Sequence, residues 1–273
     1  GMRRSVRGLP VVATLHGWTA TRPLSRMGAY ETLERFALRR ADRVVAVSEA
    51  MVERWGLRRR YGDRLRVIHN GIPVRDDGLI SRRAELPREI FEFVGDRPAV
   101  FAAGRLSPEK GFDVLIEAMA GLRRRGVEAR LVLVGEGRER GALEVQVRKL
   151  GLAQAVLMPG YIEGASRLMP AFDAVAIPSR SEGLPIVLLE ALFVGVPVVA
   201  TQVGEMPAVL DNCGAPKPVS PGDPLAFADA LARALKREAT TSFRMVAAQA
   251  SERYSAEAMA RHYRGIYDEA LTA

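Results

Sequence analysis

Short, continuous apolar runs alternate along this chain with longer stretches whose apolar positions recur at helical spacing. "PVVATLHG" (10–17), "RVVAVS" (43–48) and "LRVIHNGI" (65–72) read as strands, with helical patterns at "YETLERFALRR" (30–40) and "EAMVERWGLRRR" (49–60) between them. The runs are rich in Val and Ile and lack a polar face, as expected of parallel strands covered on both sides. Residues 73–97 lose the rhythm and read as a linker with one short helix. The pattern resumes with strands at "PAVFAAG" (98–104), "ARLVLVG" (129–135), "AVLMPG" (155–160), "AVAIPS" (174–179) and "VPVVAT" (196–201). Within it, "FDVLIEAMAGLRRRG" (112–126) sets Phe112, Leu115, Ile116, Met119 and Leu122 on one helical stripe. Arginines occupy its last turn and Gly126 supplies the stop. From Pro224 onward the pattern is mostly helical. Repeated βα units on both sides of a linker predict an α/β chain with two doubly wound lobes. The expected division is residues 1–92 for the first lobe and linker, 93–252 for the second lobe, and 253–273 for a terminal helix.

Composition narrows the function classes. Cys213 is the only cysteine among 273 residues. It excludes disulfides within the chain and cysteine metal clusters, and it suits a reducing cytoplasm. The three His are scattered and no two Asp stand at i, i+2, so no metal site is expected. The longest apolar candidate, Ile186–Ala200, is interrupted by Glu190, so no membrane span is expected. No signal peptide is visible, and Gly1 ahead of Met2 reads as a cloning remnant. The net charge of +8 is unevenly placed, with 15 Arg against 6 Asp or Glu in residues 1–68. Codon usage with solvated helix faces is one reading of this excess. A basic face toward an anionic partner such as a lipid head group, at the inner face of a membrane, is the other. Nucleic acid is not expected, because aromatics make up only 6% of residues and none interleave with the Arg runs.

In doubly wound lobes ligands bind where strands end and helices begin. Four such junctions carry unusual residues. In "AAGRLSPEKGF" (102–112), Arg105 and Lys110 flank a Ser-Pro turn ahead of a helix. Cations and a helix dipole together suit a diphosphate, and two solvated cations on a loop are the plainer reading. "LVLVGEGRERG" (131–141) has Gly135 and Gly137 but no third Gly, so it is weak as a dinucleotide fingerprint and fair as a turn that lets backbone approach a ligand. "SRSEGLPIVLLEALFVGVPVVA" (179–200) places Glu182 and Gly183 in a loop, Pro185 at an early helical position and a helix over about 186–194. Glu190 lies one to two turns into that helix, where a carboxylate can accept from two vicinal hydroxyls, as acidic residues do with ribose. Glu182 can accept from a second polyol. A helix-dipole Glu with a boundary Glu is the competing explanation. In "TLHGW" (14–18), His16 sits at a strand end, as a core-edge side chain or as a hydrogen-bonding group facing the other lobe.

These junctions, in this order, resemble those of the retaining GT-B glycosyltransferases of family 4. The likeness runs through "VVATLHG", "RVVAVSEAM", "RVIHNGIP", "GRLSPEKGFDVLIEA", "LVLVGEG", "PGYI", "SEGLPIVLLEALFVGVPVVAT" and "YSAEAMARHYRGIYDEAL". By this resemblance Arg105 and Lys110 hold the donor diphosphate, Glu190 the ribose hydroxyls and Glu182 the donor sugar. Backbone at Gly183, Leu184 and Ile186 covers the phosphates, Gly135 lies in the donor site, and Tyr161 and Ile162 lie along the base. His16 corresponds to the first-lobe histidine that reaches toward the donor sugar, so His16 and Glu182 are the implied catalytic pair. The implied fold is GT-B, two Rossmann-like lobes, with the terminal helix returning to the first. The family's first lobe begins with further βα units, so the N-terminal lobe is expected to be truncated and its open sheet edge covered by self-association, a partner chain or residues 1–9. Glu205 stands where the family usually has Gly, on the phosphate side.

The expected function is transfer of a hexose from a UDP- or GDP-linked sugar to an unidentified acceptor, lipid-linked or another glycan, with retention and with neither metal nor cofactor. The expected location is cytoplasmic or peripheral at the inner membrane face. The rival is a non-catalytic nucleotide-sugar-binding or scaffold subunit, and a GT-B-like epimerase stands behind it.

Overall fold

Each of the eight apolar runs forms a strand: β1 (Val12–Leu15), β2 (Arg43–Ala46), β3 (Leu65–Val67), β4 (Ala99–Ala103), β5 (Arg130–Val134), β6 (Val156–Gly160), β7 (Ala174–Ile177) and β8 (Val198–Ala200). Every pairing among them is parallel. The helices are α1 (Glu49–Arg54), α2 (Leu57–Tyr61), α3 (Arg88–Val94), α4 (Phe112–Arg124), α5 (Arg140–Lys149), α6 (Ile186–Phe193), α7 (Met206–Asn212), α8 (Pro224–Ala234), α9 (Arg237–Tyr254) and α10 (Ala256–Thr272). This computed structural model describes residues 9–16, 32–33, 36–73, 79–80 and 82–272, with side chains throughout except at 237–242. The helix expected over 30–40 is described only in part, and residues 1–8 of the expected edge cover lie outside the described residues. Among the described residues no helix is long and apolar enough to cross a membrane.

The chain divides into two units, Gly1–Pro73 with Arg253–Ala273, and Val74–Glu252. The first holds a sheet of order β1-β2-β3. Successive side chains of a strand face opposite ways, and β2 shows the result. Val44 and Ala46 join Leu15, Val52, Leu57 and Tyr61 on one side, while Val45 meets Ile68 and Ile266 of α10 on the other, with Met259 and Tyr263 beside them. The Tyr263 hydroxyl lies 3.0 Å from Thr14 Oγ1, and Arg66 is paired with Glu269 at 2.7 Å. His69 meets the Tyr254 ring edge-on. The single helix expected over 49–60 is two. Ser48 caps the first, accepting from Met51 N–H at 3.1 Å, and the break falls at Gly56, whose φ of +58° is open to glycine at little cost.

The second unit carries a five-stranded sheet of order β6-β5-β4-β7-β8. The chain starts at the centre, builds β5 and β6 to one side, then crosses back to lay β7 against the other flank of β4. The order therefore reverses between β4 and β7, and in open parallel sheets the crevice beyond the carboxyl ends of such a strand pair is where ligands bind. The stripe on α4 is buried as its spacing predicts: Leu115, Ile116 and Leu122 are wholly buried and pack with Leu131, Leu133, Phe227 and Leu231. Residues 82–97, expected as linker, join this unit. Arg83 ties them down, donating to Asp173 Oδ2 at 2.5 Å and to the carbonyl of Arg97 at 2.7 Å.

Candidate functional site

Four loops leave the carboxyl ends of β4, β5, β6 and β7, and backbone contacts lock them together. Leu106, wholly buried, anchors the loop after β4. Its N–H donates to Glu136 O at 2.9 Å and its carbonyl accepts from Glu139 N–H at 3.1 Å. Gly135, at φ +140°, allows the approach: a Cβ there would overlap the carbonyl oxygen of Gly104. The close neighbour that Gly135 admits is thus another loop of the protein. Its N–H donates to Gly160 O at 2.9 Å, which draws in the end of β6. Gly111, at φ +66°, ends the short 3-10 turn Pro108–Lys110, and a Cβ there would overlap the carbonyl of Pro178, at the end of β7. The loops after β4 and β7 are therefore in backbone contact at the point where the strand order reverses.

That contact brings together two of the expected residues, 72 positions apart in sequence. Lys110 Nζ donates to Glu182 Oε1 at 2.5 Å, and Ser179 Oγ donates to the same oxygen at 2.7 Å. The side chains of Lys110 and Glu182 retain 22% and 12% of their exposure, so the pair is largely shielded. Arg105 differs from its expected partner Lys110. Its side chain is 75% exposed and lies 3.8 Å from Glu109, a loose surface pair. Glu109 accepts from Ser107 Oγ at 2.6 Å, and this hydrogen bond holds its carboxyl below the usual carboxylate range.

Helix α6 follows the β7 loop. Leu188, Leu189, Ala191 and Leu192 are buried, which fixes the helix against the sheet and explains the apolar run between the two glutamates. Pro185 stands at the N-cap with extended dihedrals, one place before the helical position expected for it. No side chain caps the helix and its first turn carries no acid, so its amino end keeps its partial positive charge for a ligand. The carboxylate of Glu190, a half-buried residue in the second turn, has no hydrogen bond or ion pair with the described residues, while its backbone carbonyl accepts from Val194 N–H at 3.2 Å. Glu182 is thus engaged and Glu190 is available. Gly183 and Leu184 lie in the loop, and the carbonyl of Gly183 accepts from Glu205 N–H at 2.9 Å, so Glu205 at the N-cap of α7 fastens a third loop to it. Tyr161, 74% exposed, and Ile162 project beyond the end of β6. His16 follows β1, exposed, in the first unit; every other expected site residue belongs to the second. Among the described residues no three His, Cys, Asp or Glu form a metal-holding group.

One structural feature of these loops escapes sequence reasoning. Arg180, in the loop after β7, donates through its backbone N–H to Glu109 O at 2.7 Å and through Nη1 to Pro108 O at 2.9 Å. The same guanidinium forms a two-pronged pair with Asp113, Nη1 to Oδ1 at 2.7 Å and Nη2 to Oδ2 at 2.6 Å. Asp113 is thereby held below its ordinary carboxyl range and Arg180 above its ordinary value. No spacing rule joins positions 67 apart, and Asp113 in the first turn of a helix reads equally well as a dipole partner.

Comparison with known proteins gives this geometry its family. Residues 97–237 match the family described as glycosyl transferases group 1, and residues 1–76 match glycosyltransferase family 4. The chain is 34% identical over 203 residues to an alpha-D-kanosaminyltransferase of Streptomyces kanamyceticus, an alignment covering 71% of this chain and 51% of the relative. It is 33% identical over 251 residues to a D-inositol 3-phosphate glycosyltransferase of Saccharomonospora viridis, covering 85% and 57%. The chain therefore spans about half the length of these relatives. Among solved structures, Anabaena HepE in complex with UDP superposes with a TM-score of 0.80 at 23% identity, over 95% of this chain and 72% of that one. The likeness shows the fold, α/β of the GT-B type with Rossmann-like units.

Proposed function

Because the chain belongs to the family of glycosyl transferases group 1, we propose that it moves a hexose from a UDP- or GDP-linked sugar to an acceptor hydroxyl, with retention and without a metal. The observation that carries the reading is the meeting of Lys110 and Glu182 where the strand order reverses, with an available Glu190 carboxylate in the second turn of an uncapped helix.

The roles follow from chemistry. Lys110 and Arg105 neutralise the diphosphate, and the amino end of α6, through backbone at Gly183, Leu184 and Ile186, adds its dipole. Glu190 accepts from the ribose hydroxyls, Glu182 accepts from the donor sugar, and Tyr161 with Ile162 lies along the base. Gly135 supports the site by seating the loop that carries Arg105. In the transfer, the bond from the anomeric carbon to the phosphate oxygen breaks and the diphosphate leaves with the electron pair. The acceptor oxygen bonds the same face of that carbon, and its proton passes to the departing phosphate oxygen. Charge develops on the diphosphate, so the cations and the helix dipole act on the transition state rather than only on the bound donor. His16 takes the role of hydrogen-bonding the donor sugar.

The test combines calorimetry with UDP, GDP and their hexose conjugates and an assay for release of the nucleoside diphosphate, each with and without EDTA. Binding and turnover that survive EDTA support the proposal. Binding with neither hydrolysis nor transfer favours the non-catalytic subunit, and a marked loss in EDTA overturns the metal-independent chemistry.

A further inference from the structure

We propose that Arg180 is a positioning residue of the donor site, holding the Lys110 turn in place at the moment Lys110 leaves Glu182 for the diphosphate. The inference rests on the transferase reading and deepens it.

Two main sets of polar contacts join the loops after β4 and β7, beside a long one from Ser181 N–H to Glu109 O at 3.4 Å. One is the Lys110–Glu182 pair itself. In the proposed donor complex both members of that pair turn to the ligand, the ammonium to phosphate oxygens and the carboxylate to sugar hydroxyls. The contact that brings them together therefore weakens as the site fills. The other set belongs to Arg180. It reaches Pro108 O, Glu109 O and both carboxylate oxygens of Asp113, all within the five residues that bracket Lys110. Two parallel N–H···O bonds from a planar guanidinium fix orientation as well as distance, which a lysine in its place would not do. The hydrogen bonds of this guanidinium go to the protein, so donor binding leaves them unchanged. Pro108–Lys110 is a single 3-10 turn, too short to hold its own shape. Its register against the β7 loop depends on what grips it from outside, and Arg180 grips it from two residues before Glu182.

The experiment compares wild type with Arg180→Ala, Arg180→Lys, Asp113→Asn and the Asp113→Asn/Arg180→Ala double variant. Calorimetry uses UDP and GDP alongside uridine and guanosine. Amide hydrogen exchange follows residues 104–113 and 177–186 in the ligand-free proteins. Arg180→Ala should speed exchange in both segments and weaken diphosphate binding about tenfold, within the range measured for groups in one hydrogen-bonded network. Nucleoside binding should stay as in wild type, since the proposed roles give the base and ribose to Tyr161, Ile162 and Glu190. A residue that mattered only to stability would move both ligands together. Arg180→Lys should fall between, and the double variant should be no worse than either single change. Asp113→Asn, at a half-exposed position, keeps the test open should Arg180→Ala fold poorly. Unchanged exchange, or unchanged diphosphate affinity in the face of faster exchange, overturns the proposal. Failure of wild type itself to bind either nucleoside diphosphate overturns the donor-site reading and this inference with it, a result distinguishable because no variant is needed to see it.

Discussion

Glu182 and Glu190 are the same residue type on one stretch of chain, but their surroundings assign them different tasks. The Glu182 carboxylate already accepts from Lys110 and Ser179, whereas the carboxylate of Glu190 has no partner among the described residues. Glu190→Ala is therefore expected to lower affinity for free UDP or GDP, because it removes acceptors for two ribose hydroxyls. Glu182→Ala should leave free-nucleotide affinity intact or raise it, since Lys110 is released, and should lower affinity for the sugar conjugate. Calorimetry with nucleotide against nucleotide sugar checks this, and the reverse pattern would show the roles exchanged. Lys110→Ala should weaken diphosphate binding by about 1.5–3 kcal/mol, the scale of a charged hydrogen bond. Arg105→Ala should weaken it less, because a side chain that is 75% exposed must lose rotamer freedom to engage. Equal losses would mean that Arg105 is held in place by the ligand more firmly than its free state suggests. The residue types and the E-x7-E spacing were legible in the sequence. The pairing of Lys110 with Glu182 was not, since the resemblance gives both to a ligand and no local pattern joins positions 72 apart.

Elements show the same division. The strands were legible because continuous Val- and Ile-rich runs have few alternatives in an α/β chain, and α4 was legible because its stripe is long. The break between α1 and α2 was missed, because a glycine inside a helical pattern reads either as tolerated or as a stop, and only packing of Leu57 and Tyr61 decides. At the loops, Gly111→Ala should cost about 2–4 kcal/mol of stability, from a left-handed dihedral and a clash with Pro178 O together. A denaturant midpoint equal to wild type would show that the β4 and β7 loops can separate freely. Asp113 yields a pH prediction. Arg180 depresses its folded-state pKa below the unfolded one, so its contribution is present above the ordinary aspartate range and is lost as pH falls through the depressed value. Melting temperatures of wild type and Asp113→Asn should thus differ at neutral pH and converge in acid. Parallel curves would remove Asp113 from the acid response.

At the scale of the molecule, β1 pairs only with β2 among the described residues and so presents an edge. Unpaired N–H and C=O groups along an edge strand favour pairing with another chain. Pairing at that edge is expected to make the protein self-associate, which light scattering detects. A monodisperse monomer of 29.8 kDa would show that this edge is closed. The excess of arginine in residues 1–68 belongs to the same unit. Arg66 is partnered by Glu269, and Arg58 by Glu49, so part of that charge is neutralised within the fold.

The sequence by itself determined the eight strands, the helices that cover them and the junctions where chemistry collects, because each rests on periodicity within a few residues. It also determined the family, since motif spacing survives where overall identity is low. Only the tertiary structure decided that β7 lies beside β4, and with it that the loops carrying Lys110 and Glu182 share one crevice. Strand order is set by which faces bury together across long separations, and no local pattern encodes it. The Arg180 clamp follows from that adjacency. The three acceptors of its guanidinium lie 67 to 72 residues away and come within reach only after the sheet has brought the two loops together.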